Sequence, residues 1–168
     1  RIVKRPCLTT LEVLLGPMRA KRTHLMTGYV HKPYPPIYTE LARLAGYSSA
    51  MVVRGIEGGV IPSLNQASKY FSYQDGMPDE EIRLDPKTAG VISVTRTVLW
   101  PVDRERLQSQ DGLVNYCVKQ GLSALSGEAG PFREGLLYSV SLCLLHLGRA
   151  PDWATARVCA TRALDSGE

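Results

Sequence analysis

The sequence predicts an α/β fold: a mixed, mainly parallel sheet that opens on a βαβ unit and closes on three helices. Three observations predict it. Between residues 23 and 54, two short apolar stretches rich in β-branched and aromatic residues flank a proline-initiated amphipathic stretch. Strand, helix and strand over about thirty residues make a βαβ unit, expected to be parallel and right-handed. From about Arg104 onward the composition turns helical, punctuated by glycine and proline. The 168 residues, 44% hydrophobic and 21% charged, suit a single globular domain with a real core.

The elements follow in order. Thr10 to Leu15 reads as a short helix ended by Gly16-Pro17. Thr23 to Val30 reads as a buried strand. Pro33-Tyr34-Pro35-Pro36 leads into a helix, since the N–H that proline lacks has no partner in a first turn. That helix runs to about Ala45, with Ile37, Leu41, Leu44 and Ala45 as its buried stripe and Gly46 as its C′ residue. Ser49 to Arg54 is the second strand. Lys69 to Tyr73, Glu81 to Leu84 and Val91 to Val98 give further short strands, for a sheet of roughly four to six. Asp85-Pro86 opens a turn closed by Gly90. Leu113 to Ser126, Gly130-Pro131 to Gly148, and Pro151-Asp152 to Gly167 are the three helices. In the middle one, Leu136, Leu137, Val140, Leu144 and Leu147 form the expected core face.

No apolar run reaches the roughly 18 residues that span a bilayer, and no signal peptide follows the opening Arg-Ile-Val-Lys-Arg-Pro. The four cysteines form no CxxC pair, and three of them sit in helical apolar patterns. They read as small hydrophobes in a reducing, cytoplasmic setting, without a disulfide or zinc framework. The net charge of +4 is unevenly spread. Residues 1–54 hold nine Lys/Arg and two acids, whereas residues 55–168 hold eleven and fourteen. A basic first third on a mildly acidic body suggests an anionic partner or, equally, an ordinary solvated face.

The strand-end segments carry the candidate site, because open α/β sheets bind ligands beyond the carboxyl ends of their strands. His31 and Lys32 follow the first strand; Arg54 and the loop Gly55-Ile-Glu57-Gly58-Gly59 follow the second. Those glycines admit a phosphate cradle, but no helix with a Lys-Ser/Thr pair follows, so a tight turn is the plainer reading. His31 is either a phosphate donor or base, or an ordinary strand-end histidine. Lys4, Arg5, Arg19, Lys21, Arg22 and Lys32 are candidate phosphate contacts. Tyr29, Tyr34, Tyr38 and Tyr47 offer stacking faces, or else pack in the core. No metal-ligand cluster or nucleophile elbow is present.

The order of segments resembles the anthranilate phosphoribosyltransferases. Leu14-Leu15-Gly16-Pro17 followed by Ala20-Lys21-Arg22 is similar to their "LLGPL…AKR" entry. Residues 49–63, Ser-Ala-Met-Val-Val-Arg-Gly-Ile-Glu-Gly-Gly-Val-Ile-Pro-Ser, stand where that family has "ALVVHGxDGLDELS". Leu84-Asp85-Pro86 with Gly90, Ala124-Leu-Ser-Gly-Glu-Ala-Gly-Pro131 and Ala163-Leu-Asp-Ser-Gly167 resemble "LDPxxxG", "VLSGEKGP" and "AIDSGKA". The resemblance implies the carboxy-terminal half of such a protein, without the helical domain and glycine-rich loop that hold phosphoribosyl pyrophosphate. It also implies a partner, either that amino-terminal half or a second copy of the chain.

Two departures bear on activity. The family's magnesium-holding Asp-Glu pair falls on Val60 and Ile61, which offer no side-chain oxygen to a hard cation. Glu57 just upstream is either a displaced ligand or a solvated loop residue. The family's anthranilate-gripping arginine falls on Thr9, and a hydroxyl does not replace a bidentate guanidinium. The family's Asn in the penultimate helix is Ser139. The expectation is therefore a family member without anthranilate phosphoribosyl transfer on its own and with no cofactor of its own. The alternative is a non-catalytic nucleic-acid-binding protein on the same fold, of a divergent branch.

Overall fold

A computed structural model describes residues 11–16, 18, 20–96 and 110–167. The elements run in the order β1 (His24–Gly28), α1 (Tyr34–Leu44), β2 (Ser49–Val53), β3 (Ser68–Gln74), β4 (Glu80–Leu84), α2 (Gln110–Leu125), α3 (Pro131–His146) and α4 (Trp153–Ser166), with single 3-10 turns at Glu12–Leu14 and Ile56–Gly58. The four strands form one mixed sheet in the order β1-β2-β3-β4. β1 and β2 are parallel with His24 opposite Ser49, and β2 and β3 are antiparallel with Ser49 opposite Gln74. The expected βαβ start and the three closing helices are both present.

The chain divides into two compact units, residues 1–60 with 69–83, and residues 61–68 with 84–168. In the first, all five residues of β2 are buried. Such a strand reads as a continuous apolar run because both its faces are covered. α1 packs on it. Tyr29, Tyr38, Ala42, Tyr47, Ala50, Val52 and Tyr73 form one buried cluster, with Leu25 and Leu41 against it. Gly46 takes the left-handed conformation (φ 77°) that ends α1, as expected. The Tyr47 hydroxyl donates to the Leu14 carbonyl at 3.2 Å and ties down the first 3-10 turn. His24 Nδ1 lies 2.8 Å from Ser49 Oγ and joins the amino ends of the parallel pair.

Three expectations are corrected. The stripe of α1 that enters the core is Pro35, Tyr38, Thr39 and Ala42, whereas Ile37 is 50% and Leu44 75% exposed. Ala42 lets the backbone approach β2 closely, which a leucine there would prevent. Residues 91–96 form no strand. The Leu64 N–H donates to the Arg96 carbonyl and Asn65 Nδ2 to the Val94 carbonyl, but Ile92 and Val94 stay in solvent. In α3 the buried residues are Gly135, Leu137, Tyr138, Ser139, Ser141 and Leu142, so of the expected face only Leu137 is buried, while Val140 and Leu147 are exposed. α3 is apolar nearly all round, so the pattern alone does not say which side is covered. α3 packs on α4, where Ala156 and Ala160 are buried. Small residues on both helices permit a short interaxial distance.

In the second unit, Asp85 Oδ1 accepts the Lys87 N–H, and Val91 N–H donates to the Pro86 carbonyl, closing the turn at Gly90. Leu64, Ala89, Val91 and Tyr138 cluster there with Trp153. Asp152 caps α4 by accepting the Thr155 N–H at 2.7 Å, and Gly167 ends it with φ 72°. That backbone N–H holds the Asp152 carboxyl below its usual range. Glu134 takes Arg157 at 2.7 Å, and Asp165 takes Arg133.

Tyr70 on β3 is 6% exposed; burial, then the charge of Glu80, pushes its hydroxyl up to about 12. A tyrosine in the unfolded chain ionises near about 10, so the folded state holds the extra proton between the two values. Stability present in full below pH 10 is therefore lost as pH climbs toward 12. Tyr70→Phe is expected to flatten that fall in denaturant midpoints taken across this window. Equal slopes for the two proteins would disprove the assignment.

Candidate functional site

The carboxyl ends of β1 and β2 meet as the βαβ topology requires. The Tyr29 N–H donates to the Val53 carbonyl at 3.0 Å, extending the parallel pairing by one step. The loops that leave these strands are pressed together. A Cβ on Gly28 would lie 2.0 Å from the Gly58 carbonyl oxygen and 2.4 Å from that of Gly59. A Cβ on Gly58, which has φ +82°, would lie 2.6 Å from Val30 Cγ2. Glycine at both positions is a steric requirement of the closure.

The loop itself is a turn. Gly55 is extended, Ile56 to Gly58 make one 3-10 turn, and the Gly59 N–H donates to the Ile56 carbonyl at 2.9 Å. The Arg54 N–H is taken by the Lys69 carbonyl at 3.0 Å. Two N–H groups a phosphate cradle would use are thus spent internally. Glu57 lies within the 3-10 turn. Val60 is 37% exposed, and among the described residues no group of three His, Cys, Asp or Glu could hold a metal ion.

The sequence candidates divide into two places. His31, Lys32 and Arg54 are exposed at the carboxyl end of the parallel pair. His31 stacks at 5.8 Å on Tyr34, and its carbonyl accepts the Tyr34 N–H at the start of α1. Lys21 and Arg22 are exposed before β1, at the opposite end of a strand about 13 Å long. Arg5 and Arg19, with Lys4, lie outside the described residues. Of the tyrosines offered for stacking, Tyr29, Tyr38 and Tyr47 are buried, and Tyr34 is half-buried beside Tyr38 at 5.7 Å. They are core residues because the βαβ unit closes over them.

Lys69 is the site residue that sequence reasoning missed. Val53 pairs with Tyr70, so Lys69 stands opposite Arg54. Its ammonium pairs with Glu81 at 2.6 Å and lies 5.4 Å above the Phe71 ring, which meets Tyr29 edge-on at 6.0 Å. The Tyr29 hydroxyl is buried with no hydrogen-bond partner. Burial pushes its ionisation up, opposed by the charges of Lys69 and Arg54. The signal for Lys69 lay in the strand register, which no local motif announces.

No family model matches the chain. It is 28% identical over 160 residues to an anthranilate phosphoribosyltransferase of Novosphingobium aromaticivorans, covering 94% of this chain and 45% of that protein. It is 26% identical over 168 residues to the enzyme of the same name from Erythrobacter litoralis, covering 100% of this chain and 47% of that one. The chain therefore spans about half the length of the curated relatives it matches. A solved anthranilate phosphoribosyltransferase from Saccharomyces cerevisiae, in complex with PRPP and Mg, superposes with a TM-score of 0.58 at 20% identity, over 86% of this chain and 39% of that one. A second structure of the yeast enzyme gives 0.57 at 19% identity with the same coverage. Among the described residues no helix is long and apolar enough to cross a membrane. The chain is therefore similar in sequence to anthranilate phosphoribosyltransferases over about half their length, and it shares the fold of the yeast enzyme over 39% of that chain.

Proposed function

We propose that this chain is the carboxy-terminal half of an anthranilate phosphoribosyltransferase-like protein and does not transfer phosphoribosyl groups to anthranilate by itself. The observation that carries this reading is a match along nearly the whole chain to about half of each relative, combined with Val60, Ile61 and Thr9 at the positions where the family pattern has its metal and anthranilate ligands. Two aliphatic side chains cannot hold a hard divalent cation, so magnesium held in the family manner does not fit this loop. The loop's internal hydrogen bonds support the same reading. The test is anthranilate consumption by the chain with phosphoribosyl pyrophosphate and magnesium. No consumption is expected, and turnover that disappears in a Glu57→Gln variant would overturn the reading.

A second reading, a non-catalytic nucleic-acid-binding protein, is favoured by the charge asymmetry and by the exposure of Lys21, Arg22, Lys32 and Arg54. It expects a labelled single-stranded oligonucleotide to bind at low salt, with affinity falling steeply as salt rises, because phosphate contacts release counterions. Fluorescence anisotropy measures this directly. A flat salt response removes the reading and leaves the basic first third as a surface for another protein region.

A further inference from the structure

In the second unit α2 rests on α3 through the side that carries Tyr116 and Ala124. Tyr116 meets the Phe132 ring edge-on at 6.2 Å, and the Ala124 carbonyl accepts Arg133 Nη1 at 3.4 Å. Beside that side, Val114, Val118, Leu122 and Leu125 are each more than half exposed. Val114, Val118, Gly121 and Leu125 follow one another at intervals of four, three and four residues. That is the a/d spacing of a coiled-coil seam, which sets its members on one narrow stripe facing a partner helix. Across its sixteen residues α2 carries only two charges, Asp111 and Lys119, of opposite sign.

Gly121 makes a notch in the stripe. A carbon added there meets no described atom within 4 Å. Packing inside the chain therefore does not ask for glycine, and glycine weakens a helix interior relative to alanine. A notch among apolar neighbours admits the side chain of another helix. At Leu125 the stripe runs into a groove of about 440 Å³, whose walls include Leu136, Val140, Ala160 and Leu164. None of the described residues that line the groove is charged. Knob, notch and groove thus lie on one continuous apolar patch.

We propose that this patch joins two copies of the chain, α2 against α2, antiparallel about a two-fold axis between Val118 and Gly121. The stripe is self-complementary. With residue 118 opposite the partner's 121, the same axis sets 114 opposite 125, so each position of the stripe meets another. Each Val118 fills the partner's notch, and the partner's Val114 covers Leu125 at the mouth of the groove. A parallel pair would set notch against notch. The net charge of α2 is zero, so the two helices approach without repulsion. An isologous contact uses the same surface on both copies and closes at two. Apolar patches of this kind measure roughly 300–600 Å². Two of them bury up to about 1,200 Å², the low end for specific complexes, so the dimer dissociates in the micromolar range.

Sedimentation equilibrium of the full chain, from low micromolar to near-millimolar concentration, tests this. A monomer–dimer equilibrium is expected. Gly121→Leu blocks the notch against the partner's Val118 and is expected to weaken the dimer about tenfold, although it adds apolar surface. Open space surrounds the new side chain, so the melting temperature stays at or above the parent value. Val118→Lys is expected to weaken the dimer as much. Val158→Lys, at an exposed valine on α4 outside the patch, leaves it unchanged. The proposal is overturned by a chain that stays monomeric at the highest concentration, which would leave the patch to a different chain. It is equally overturned by a dimer that Gly121→Leu tightens or leaves unchanged, or by equal effects of Val118→Lys and Val158→Lys.

Discussion

Replacing Gly28 with alanine is expected to destabilise the first unit by on the order of 2–3 kcal/mol and to displace the loop after β2, because the new methyl group meets fixed backbone. The obstructing atoms are the carbonyl oxygens of Gly58 and Gly59, at 2.0 and 2.4 Å. Neither can turn aside as the end of a side chain would. The two loops must separate, and β1 loses its seat beside that turn. Denaturant unfolding measures the cost, and amide exchange at residues 56–59 reports the loop. Gly46→Ala is the companion measurement. It has φ 77° but nothing within 4 Å of the added carbon, so it costs only the left-handed conformation, about 1 kcal/mol. Equal losses for the two variants would show that packing at Gly28 is unimportant.

At Tyr138 two substitutions are expected to act in opposite directions. The residue is 1% exposed, packs with Leu64, Ala89, Val91 and Trp153, and its hydroxyl has no hydrogen-bond partner. Tyr138→Ala removes a fully buried ring and leaves a cavity, for a loss of about 3–5 kcal/mol. Tyr138→Phe keeps the ring and removes an oxygen that folding strips of water without replacement. That change is expected to be neutral or to stabilise by up to about 1 kcal/mol. Calorimetric melting of the three proteins decides the matter. A clear loss in Tyr138→Phe would mean that the hydroxyl is satisfied in solution.

Some of this was legible in the chain and some was not, for identifiable reasons. The run Ala-Met-Val-Val at residues 50–53 reads as a doubly covered strand because nothing polar interrupts it, and β2 is buried throughout. Asp152, Gly46 and Gly167 mark helix ends through backbone chemistry that is purely local. The inward face of α1 was not legible. Its two apolar stripes differ by one residue, and the choice between them fell to Ala42 and Tyr38, whose fit depends on the sheet. The alternation at 91–96 has strand periodicity, yet Ile92 is 93% and Val94 97% exposed, since hydrophobic pattern marks only what could be covered. At the candidate site, the placement of His31, Lys32 and Arg54 at the carboxyl ends of the parallel pair followed from βαβ topology. The interlock of Gly28 with Gly58 and the placement of Lys69 opposite Arg54 are tertiary facts that no spacing encodes.

The order β1-β2-β3-β4 also governs how the sheet forms in time. Each strand pairs with its successor in the chain, and the first residues of β1 and β2, His24 and Ser49, are 25 residues apart. Closing a loop of that length carries a modest entropic cost that grows only logarithmically with length. Each described strand waits only for its neighbour in the chain, so the parallel pair and its covering helix can assemble while the later helices are still unstructured. The slowest pairing in this sheet is the parallel one, whose crossover must close first.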